Sequence, residues 1–115
     1  MFGGLKIVID GADYVVPPLS LGQLRNGVLK KLQEHDELLA SGKVFEATAL
    51  RGEVILEALR RNYPDFAEDT LMSFLDMASI GPIWLAVLGA SGFSPGEMTA
   101  AVDKALGTSA PSTGA

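Results

Sequence analysis

The chain has no cysteine, and a single histidine stands among its 115 residues. Without cysteine the chain forms no disulfide, thiolate metal site or thiol nucleophile, and this absence is typical of a reducing cytoplasm. Positive charge is also scarce, since 9 Lys and Arg face 14 Asp and Glu for a net charge of −5. A nucleic-acid-binding protein needs a Lys/Arg-rich face to neutralise phosphates. The composition therefore argues against a nucleic-acid partner.

Long hydrophobic runs are missing as well. Residues 1–10 lack the basic region and apolar run of a signal peptide. Residues 77–96 carry no charge, but glycine and proline interrupt them and only Ile83–Leu88 is solidly apolar. A bilayer-spanning helix needs about 20 mostly apolar residues. We therefore expect no membrane segment and a cytosolic protein.

Apolar residues, in contrast, are abundant. The chain is 48% hydrophobic and only 20% charged, and 115 residues suffice for one domain. We expect a single domain over residues 1–107 and a flexible tail over the small, polar residues 108–115. A core of this size cannot hide so much apolar surface, so self-association or a partner is expected.

The pattern predicts a mainly α, α+β fold, in which a small N-terminal β-hairpin over about residues 5–16 precedes a bundle of four to five helices. Two β-branched and aromatic runs flank Asp10-Gly11, which is a strong hairpin signal. Ser20 and Gln23 form a capping box that opens the first helix. Its predicted apolar stripe comprises Leu21, Leu24, Val28, Leu32 and Leu39.

A second helix is predicted from about Lys43 to Asn62, where Pro64 ends it and makes a sharp corner. Its apolar side comprises Val44, Thr48, Ile55 and Leu59, and its polar side comprises Glu46, Glu53, Glu57 and Arg61. A third helix is predicted from about Asp65, with a capping box to Glu68 and an apolar face of Leu71, Phe74, Leu75 and Ala78. Two more are predicted over residues 82–88 and 94–106.

No residue pattern points to catalysis, a cofactor or a metal. His35 lies among acidic neighbours, but adjacent helical residues point about 100° apart and cannot converge on one ion. His35 is therefore interpreted as a flank of the apolar stripe. The glutamates of the second helix lack the Glu-x-x-His pair of a di-metal bundle, and a solvated face with a Glu57–Arg61 pair is the simpler interpretation.

The candidates for partner binding are apolar. Trp84 fits either a core aromatic or an interface anchor, and on the second interpretation Trp84→Ala would reduce assembly more than the melting temperature. Leu50 is a candidate because it falls among the glutamates of the second helix. The full candidate set is Leu50, Tyr63, Ile83, Trp84, Val87, Leu88 and Phe93.

Three stretches carry a resemblance to a known family: the hairpin with its Pro17–Leu24 helix entry, Leu59–Asp65 with the acidic helix start after it, and Leu88–Phe93. In this order, the chain resembles the lambda-type tail assembly chaperones of long-tailed bacteriophages over about residues 5–93.

The resemblance implies a self-associating helical protein of the infected host's cytoplasm that is absent from the mature virion. It implies that the protein binds the tape-measure protein, keeps it soluble and recruits tail-tube subunits, in part through a longer frameshifted form. A structural head–tail joining or tail component retained in the virion remains the alternative. An enzyme or metal protein that uses His35 is a third.

Overall fold

The computed structural model describes residues 1–93, so the helix predicted over residues 94–106, the domain end at residue 107 and the tail lie outside the described residues. Strands β1 and β2 are followed by helix α1, a π-helical turn and helices α2 to α5. Their bounds are Leu5–Ile9 (β1), Ala12–Val16 (β2), Leu21–Gln23 (α1), Leu24–Val28 (π turn), Leu29–Ala40 (α2), Val44–Leu59 (α3), Glu68–Phe74 (α4) and Ile80–Ala90 (α5). The predicted fold class, a hairpin followed by a helical bundle, is confirmed.

The hairpin has the predicted turn. Its strands pair antiparallel from Leu5 opposite Val16 to Ile9 opposite Ala12. Asp10 and Gly11 both have positive φ angles, 52° and 80°, as a two-residue turn with the twist of the strands requires. One face of the hairpin buries Ile9 and Val16 against the helices.

The capping box of the first helix is also confirmed. The Gln23 N–H donates to the Ser20 hydroxyl and the Ser20 N–H donates to the Gln23 side chain, each over 3.0 Å. The side-chain amide nitrogen of Gln23, Nε2, also donates to the backbone carbonyl of Glu57 over 2.6 Å. The box therefore also ties the start of the first helix to α3.

The predicted stripe of this helix is wrong at both ends. Val28 and Leu32 are buried, but Leu21 is 85% exposed and Leu39 is also exposed. The cause at the first end is the π turn, where Gly27 takes a φ of 146° and the helical phase changes. Leu39 lies in the last turn of α2, where Leu38 rather than Leu39 is half-buried.

Helix α3 is the centre of the core, and it packs against β2, α2, α4 and α5. Ile55, Ala58 and Leu59 are fully buried. Val44, predicted on the same apolar side, is exposed at the tip beside Phe45, which corrects that prediction. Within the first turn of α3, Ala47 is fully buried, whereas Val44 and Phe45 remain largely exposed.

The corner after α3 exists but begins earlier than predicted. Helix α3 ends at Leu59, three residues before the predicted end, and Pro64 lies in the exposed turn beyond it. The Tyr63 hydroxyl accepts a hydrogen bond from the Val15 N–H over 3.0 Å, and its ring contacts Tyr14 edge-on. The corner thus holds the hairpin against the helices.

The capping box predicted for α4 is wrong. Helix α4 begins at Glu68, and its N-cap is the extended Ala67, whose side chain makes no cap hydrogen bond. Phe66 is buried against Tyr14 at this point, with ring centroids 5.0 Å apart. Burial of Phe66 keeps residues 65–67 out of the helix. Ala78, predicted on its apolar face, is exposed and lies beyond its end.

Helix α5 is longer than the predicted 82–88 segment at both ends. Pro82 falls in its first turn, where the missing N–H costs little. The Ser91 hydroxyl donates to the Val87 carbonyl over 2.7 Å and accepts the Leu19 N–H over 2.8 Å. The far end of α5 is therefore fixed to the segment that enters the first helix.

We expect Gly4→Ala to destabilise the chain by about 1–3 kcal/mol, because overpacking forces backbone to move. A Cβ at Gly4 would collide with the Val16 carbonyl oxygen and lie 2.7 Å from the Pro17 Cα. Gly3 is the matched control, since a Cβ there meets nothing within 4 Å and surface changes usually cost less than about 0.5 kcal/mol. Urea unfolding of both variants measures the difference, and equal stabilities would contradict the close contact.

Candidate functional site

The predicted partner-binding residues divide into two groups. Trp84, Val87 and Leu88 are buried, with Trp84 only 3% exposed. They belong to the core of this conformation and offer no surface to a partner, because α5 turns them toward α3. The other predicted residues are half-buried: Leu50, Tyr63, Ile83 and Phe93.

Trp84 lies in a polar cluster that joins α2, α3 and α5. The His35 ring lies 5.3 Å from the Trp84 ring, and the Arg51 guanidinium lies 5.7 Å from the Trp84 ring centroid. The Arg51 Nε donates to the His35 Nε2 over 2.8 Å, and His35 Nδ1 lies 3.0 Å from a carboxylate oxygen of Asp36. Since Nε2 accepts, the neutral ring carries its proton on Nδ1 and donates it to Asp36.

The geometry of this cluster fits a role in holding the helices together. His35 is buried, as the interpretation of a residue flanking the apolar stripe requires. Burial lowers the pKa of His35 most, and the Arg51 charge lowers it further, against the opposing effect of Asp36. A protonated Nε2 would also lose the hydrogen bond from Arg51. The ring is therefore held neutral between three helices.

The glutamates of α3 do not converge, and the predicted Glu57–Arg61 pair is wrong. Glu53 pairs instead with Lys31 across α2 and α3 over 2.7 Å, a hydrogen bond that raises the pKa of Lys31. Arg61 donates to the Pro18 carbonyl and stacks 3.8 Å over the Phe2 ring. Across residues 1–93, no group of three or more metal-ligating side chains is placed to hold an ion.

One concave surface is an apolar groove of about 470 Å³ between α3, α4 and the start of α5. We call it the acidic groove, because three carboxylates and no basic residue line it within residues 1–93; of these, Glu53 is paired with Lys31, while Glu68 and Asp76 are exposed at the rim. Its lining comprises Phe45, Thr48, Ala49, Glu53, Glu68, Met72, Leu75, Asp76, Met77 and Ile80. Phe45 is 74% exposed and Met77 is 62% exposed. These large apolar side chains are left in water on a surface with room for a partner.

The wall of the acidic groove depends on Gly52. A Cβ at Gly52 would lie 2.8 Å from the Met72 terminal methyl, closer than real contacts allow. Glycine therefore lets Met72 of α4 lie directly on α3. The carboxylate of Asp76 accepts from the Ser79 and Ala78 N–H groups, contacts that lower its pKa and keep the rim charged.

A second apolar surface lies on the first helix. We call it the basic ridge; it comprises Leu21, Leu24, Arg25, Asn26, Gly27, Leu29 and Lys30 around one shallow depression. Leu21 and Leu29 are exposed, and the charged residues among them are both basic. The change of helical phase at the π turn contributes to this surface, since Leu21 was predicted to face the core.

A third surface is the outer side of α5, which we call the uncharged face: Pro82, Ile83, Leu85, Ala86 and Gly89. No residue of Ile80–Ala90 is charged. Leu85 is 54% exposed at one edge of this side of the helix, and Ile83, about 200° around the axis, is half-buried at the opposite edge. Of the predicted partner-binding residues, Ile83 is the one that lies here.

Sequence reasoning missed the most exposed of these side chains: Leu21, Leu29, Phe45, Met77 and Leu85. A signal existed for Phe45, which lies between the glutamates and lysine at the start of the second helix. It existed also for Leu85, which falls off the stripe of buried residues formed by Trp84, Val87 and Leu88. Leu21 carried no such signal, because only the π turn moves it to the surface.

Comparisons of the chain with protein-family models, curated proteins and solved structures find no match. Among the helices of residues 1–93, none has the length and apolar content needed to cross a bilayer.

We expect the free energy of unfolding to fall on acidification because of His35. Its folded-state pKa lies below the ordinary 6.5, so between these two values the unfolded chain binds more protons than the folded chain. Stability therefore rises with pH through this window and is independent of His35 above it. Urea unfolding at a series of pH values from 7.5 downward measures the slope. His35→Gln is the control that removes it, and an equal slope in both proteins would contradict the neutral ring.

We expect Trp84→Ala to lower the melting temperature strongly, with a loss of about 3–5 kcal/mol, because it leaves a cavity between α2, α3 and α5. For an interface anchor, in contrast, Trp84→Ala would reduce assembly more than the melting temperature. Leu85→Ala, on the exposed side of the same helix, is the matched control and should change stability little. Calorimetry measures both. A Trp84→Ala variant with a wild-type melting temperature and reduced assembly would restore the anchor interpretation.

Proposed function

We propose that this chain is a tail assembly chaperone of a long-tailed bacteriophage, which self-associates and binds the tape-measure protein to keep it soluble in the host cytoplasm. The resemblance of residues 5–93 to that family is one support. The observation that carries the proposal is the uncharged face of α5, with Leu85 54% exposed on a helix that has no charged residue.

The chemistry of this face fits a long apolar helical stripe. An amphipathic helix is recognised through apolar side chains at positions i, i+3, i+4 and i+7 that pack against another helix or a groove. The small residues Ala86 and Gly89 beside Leu85 allow a second helix to approach closely. Because α5 carries no charge, it repels no charged residue that flanks the apolar stripe of a client helix. Client helices with different flanking charges can therefore pack there. Such tolerance suits one chaperone that covers many segments of a long client.

Phe93 and Ile83 remain candidate client contacts, since both are half-buried. Leu50 and Tyr63 are half-buried too, but Tyr63 already holds the hairpin through its hydrogen bond with Val15. We therefore assign client binding to Ile83, Leu85 and Phe93. Recruitment of tail-tube subunits through a longer frameshifted form belongs to the proposal by resemblance alone.

Leu85→Lys should abolish solubilisation of the tape-measure protein of the same phage. Burial of each large apolar side chain contributes about 1.5–3 kcal/mol, and a lysine would place an unpaired charge in the contact. The measurement is the soluble fraction of co-expressed tape-measure protein and its co-purification with this chain.

The matched control is Val8→Lys. Val8 is 53% exposed on the hairpin, opposite Asp13 in the register, so lysine is tolerated there. A tape-measure protein that stays insoluble with the wild-type chain abundant would contradict the chaperone function. Recovery of this chain in purified tails would favour the structural component retained in the virion.

A further inference from the structure

The acidic groove and the basic ridge are complementary in charge and in chemistry. The groove is lined by Glu53, Glu68 and Asp76 around exposed apolar side chains. The ridge has Arg25 and Lys30 around Leu21 and Leu29. Each surface thus has an apolar centre with charges of a single sign at its edge, negative for the groove and positive for the ridge. Opposite patches of this kind steer and orient association.

The two surfaces cannot meet within one chain. Lys31 reaches from α2 to Glu53 on α3, so the Lys31 side of α2 faces the helix that forms the groove. Leu29 precedes Lys31 by two positions, about 200° around the helix axis. Leu29 therefore points away from the groove of its own chain, and no residue lines both surfaces.

We infer that the basic ridge of one copy docks into the acidic groove of a second copy, so that the chain assembles head to tail. The inference rests on the self-association that is part of the proposed function, and it identifies the two surfaces through which the copies associate. Leu21 and Leu29 would lie against Phe45 and Met77.

The contact is a helix in a groove between two helices, a common recognition mode. In this arrangement Arg25 and Lys30 of one copy would pair with Glu68 and Asp76 at the groove rim of the other. Because ridge and groove are different surfaces, a docked pair leaves the groove of one copy and the ridge of the other free. Such a heterologous contact closes into a ring or extends as a filament, according to the rotation between copies. The uncharged face of α5 stays free for a client.

Two variants of the full chain test the inference. The ridge variant carries Leu21→Glu and Leu29→Glu, and the groove variant carries Phe45→Glu and Met77→Glu. All four residues are exposed, so the fold should tolerate the changes, which circular dichroism melting checks. The size of each sample is measured by light scattering and sedimentation over a hundredfold range of concentration.

Each variant alone should be monomeric where the wild type forms larger species, while an equimolar mixture should form a dimer and nothing larger. The intact groove of the ridge variant then holds the intact ridge of the groove variant. A wild type that is monomeric throughout the concentration range overturns the inference. So does a mixture that stays monomeric, or a variant that assembles alone as the wild type does.

Charge reversal gives a second test that needs no apolar substitution. Arg25→Glu and Glu68→Lys should each weaken assembly at least tenfold, and mixing the two variants should restore large species, since every ridge then meets a groove of opposite charge. No recovery on mixing overturns the assigned pairing.

The Val8→Lys chain is the control and should assemble normally. Leu85→Lys separates this inference from the proposed function, because it should assemble as the wild type does while losing client solubilisation. If both interface variants still assemble and Leu85→Lys still fails to solubilise the client, the assigned contact is wrong. The proposed chaperone function is then unaffected.

Discussion

Burial of helix α3 is the constraint on which the rest of the structure depends. This one helix packs against β2, α2, α4 and α5, and Ala47, Ile55, Ala58 and Leu59 are entirely shielded from water. A small chain has enough neighbours to cover only part of a 16-residue helix. The core therefore covers Ala47 and most of the second half of α3, while Val44 and Phe45 of the first turn stay exposed. The acidic groove begins at the exposed Phe45.

Polar contacts decide how the neighbours of α3 are oriented. His35 bridges α2 to α3 through Arg51 and lies against Trp84 of α5, while Tyr63 and Asn62 hold the hairpin through the backbone of Val15. Buried polar groups demand partners, so each of these contacts permits few alternative arrangements. Together these contacts hold α2, α5 and the hairpin against α3.

Much of the local structure could be predicted, because it depends on neighbours in sequence. Asp10-Gly11 specifies the hairpin turn through positive φ angles, and Ser20 with Gln23 specifies the helix start through reciprocal hydrogen bonds. The capping box predicted at Asp65 was wrong for a tertiary reason. Phe66 is drawn into the core against Tyr14, and its burial outweighs the roughly 1 kcal/mol that a cap contributes. The predicted partner residues divide for a tertiary reason too: packing of α5 against α3 buries Trp84, Val87 and Leu88, while the other four stay half-buried.

The sequence by itself determined the class of fold and the excess of apolar residues, because both follow from composition, periodicity and short-range turn chemistry. It also determined that His35 has no second histidine with which to form a metal site. Only the tertiary structure decided which apolar residues remain in water. That choice depends on the π turn at Gly27, on the end of α3 beyond its neighbours and on the side of α5 that meets α3. Each of these depends on packing between distant segments, which the local pattern indicates for Phe45 and Leu85 but not for Leu21.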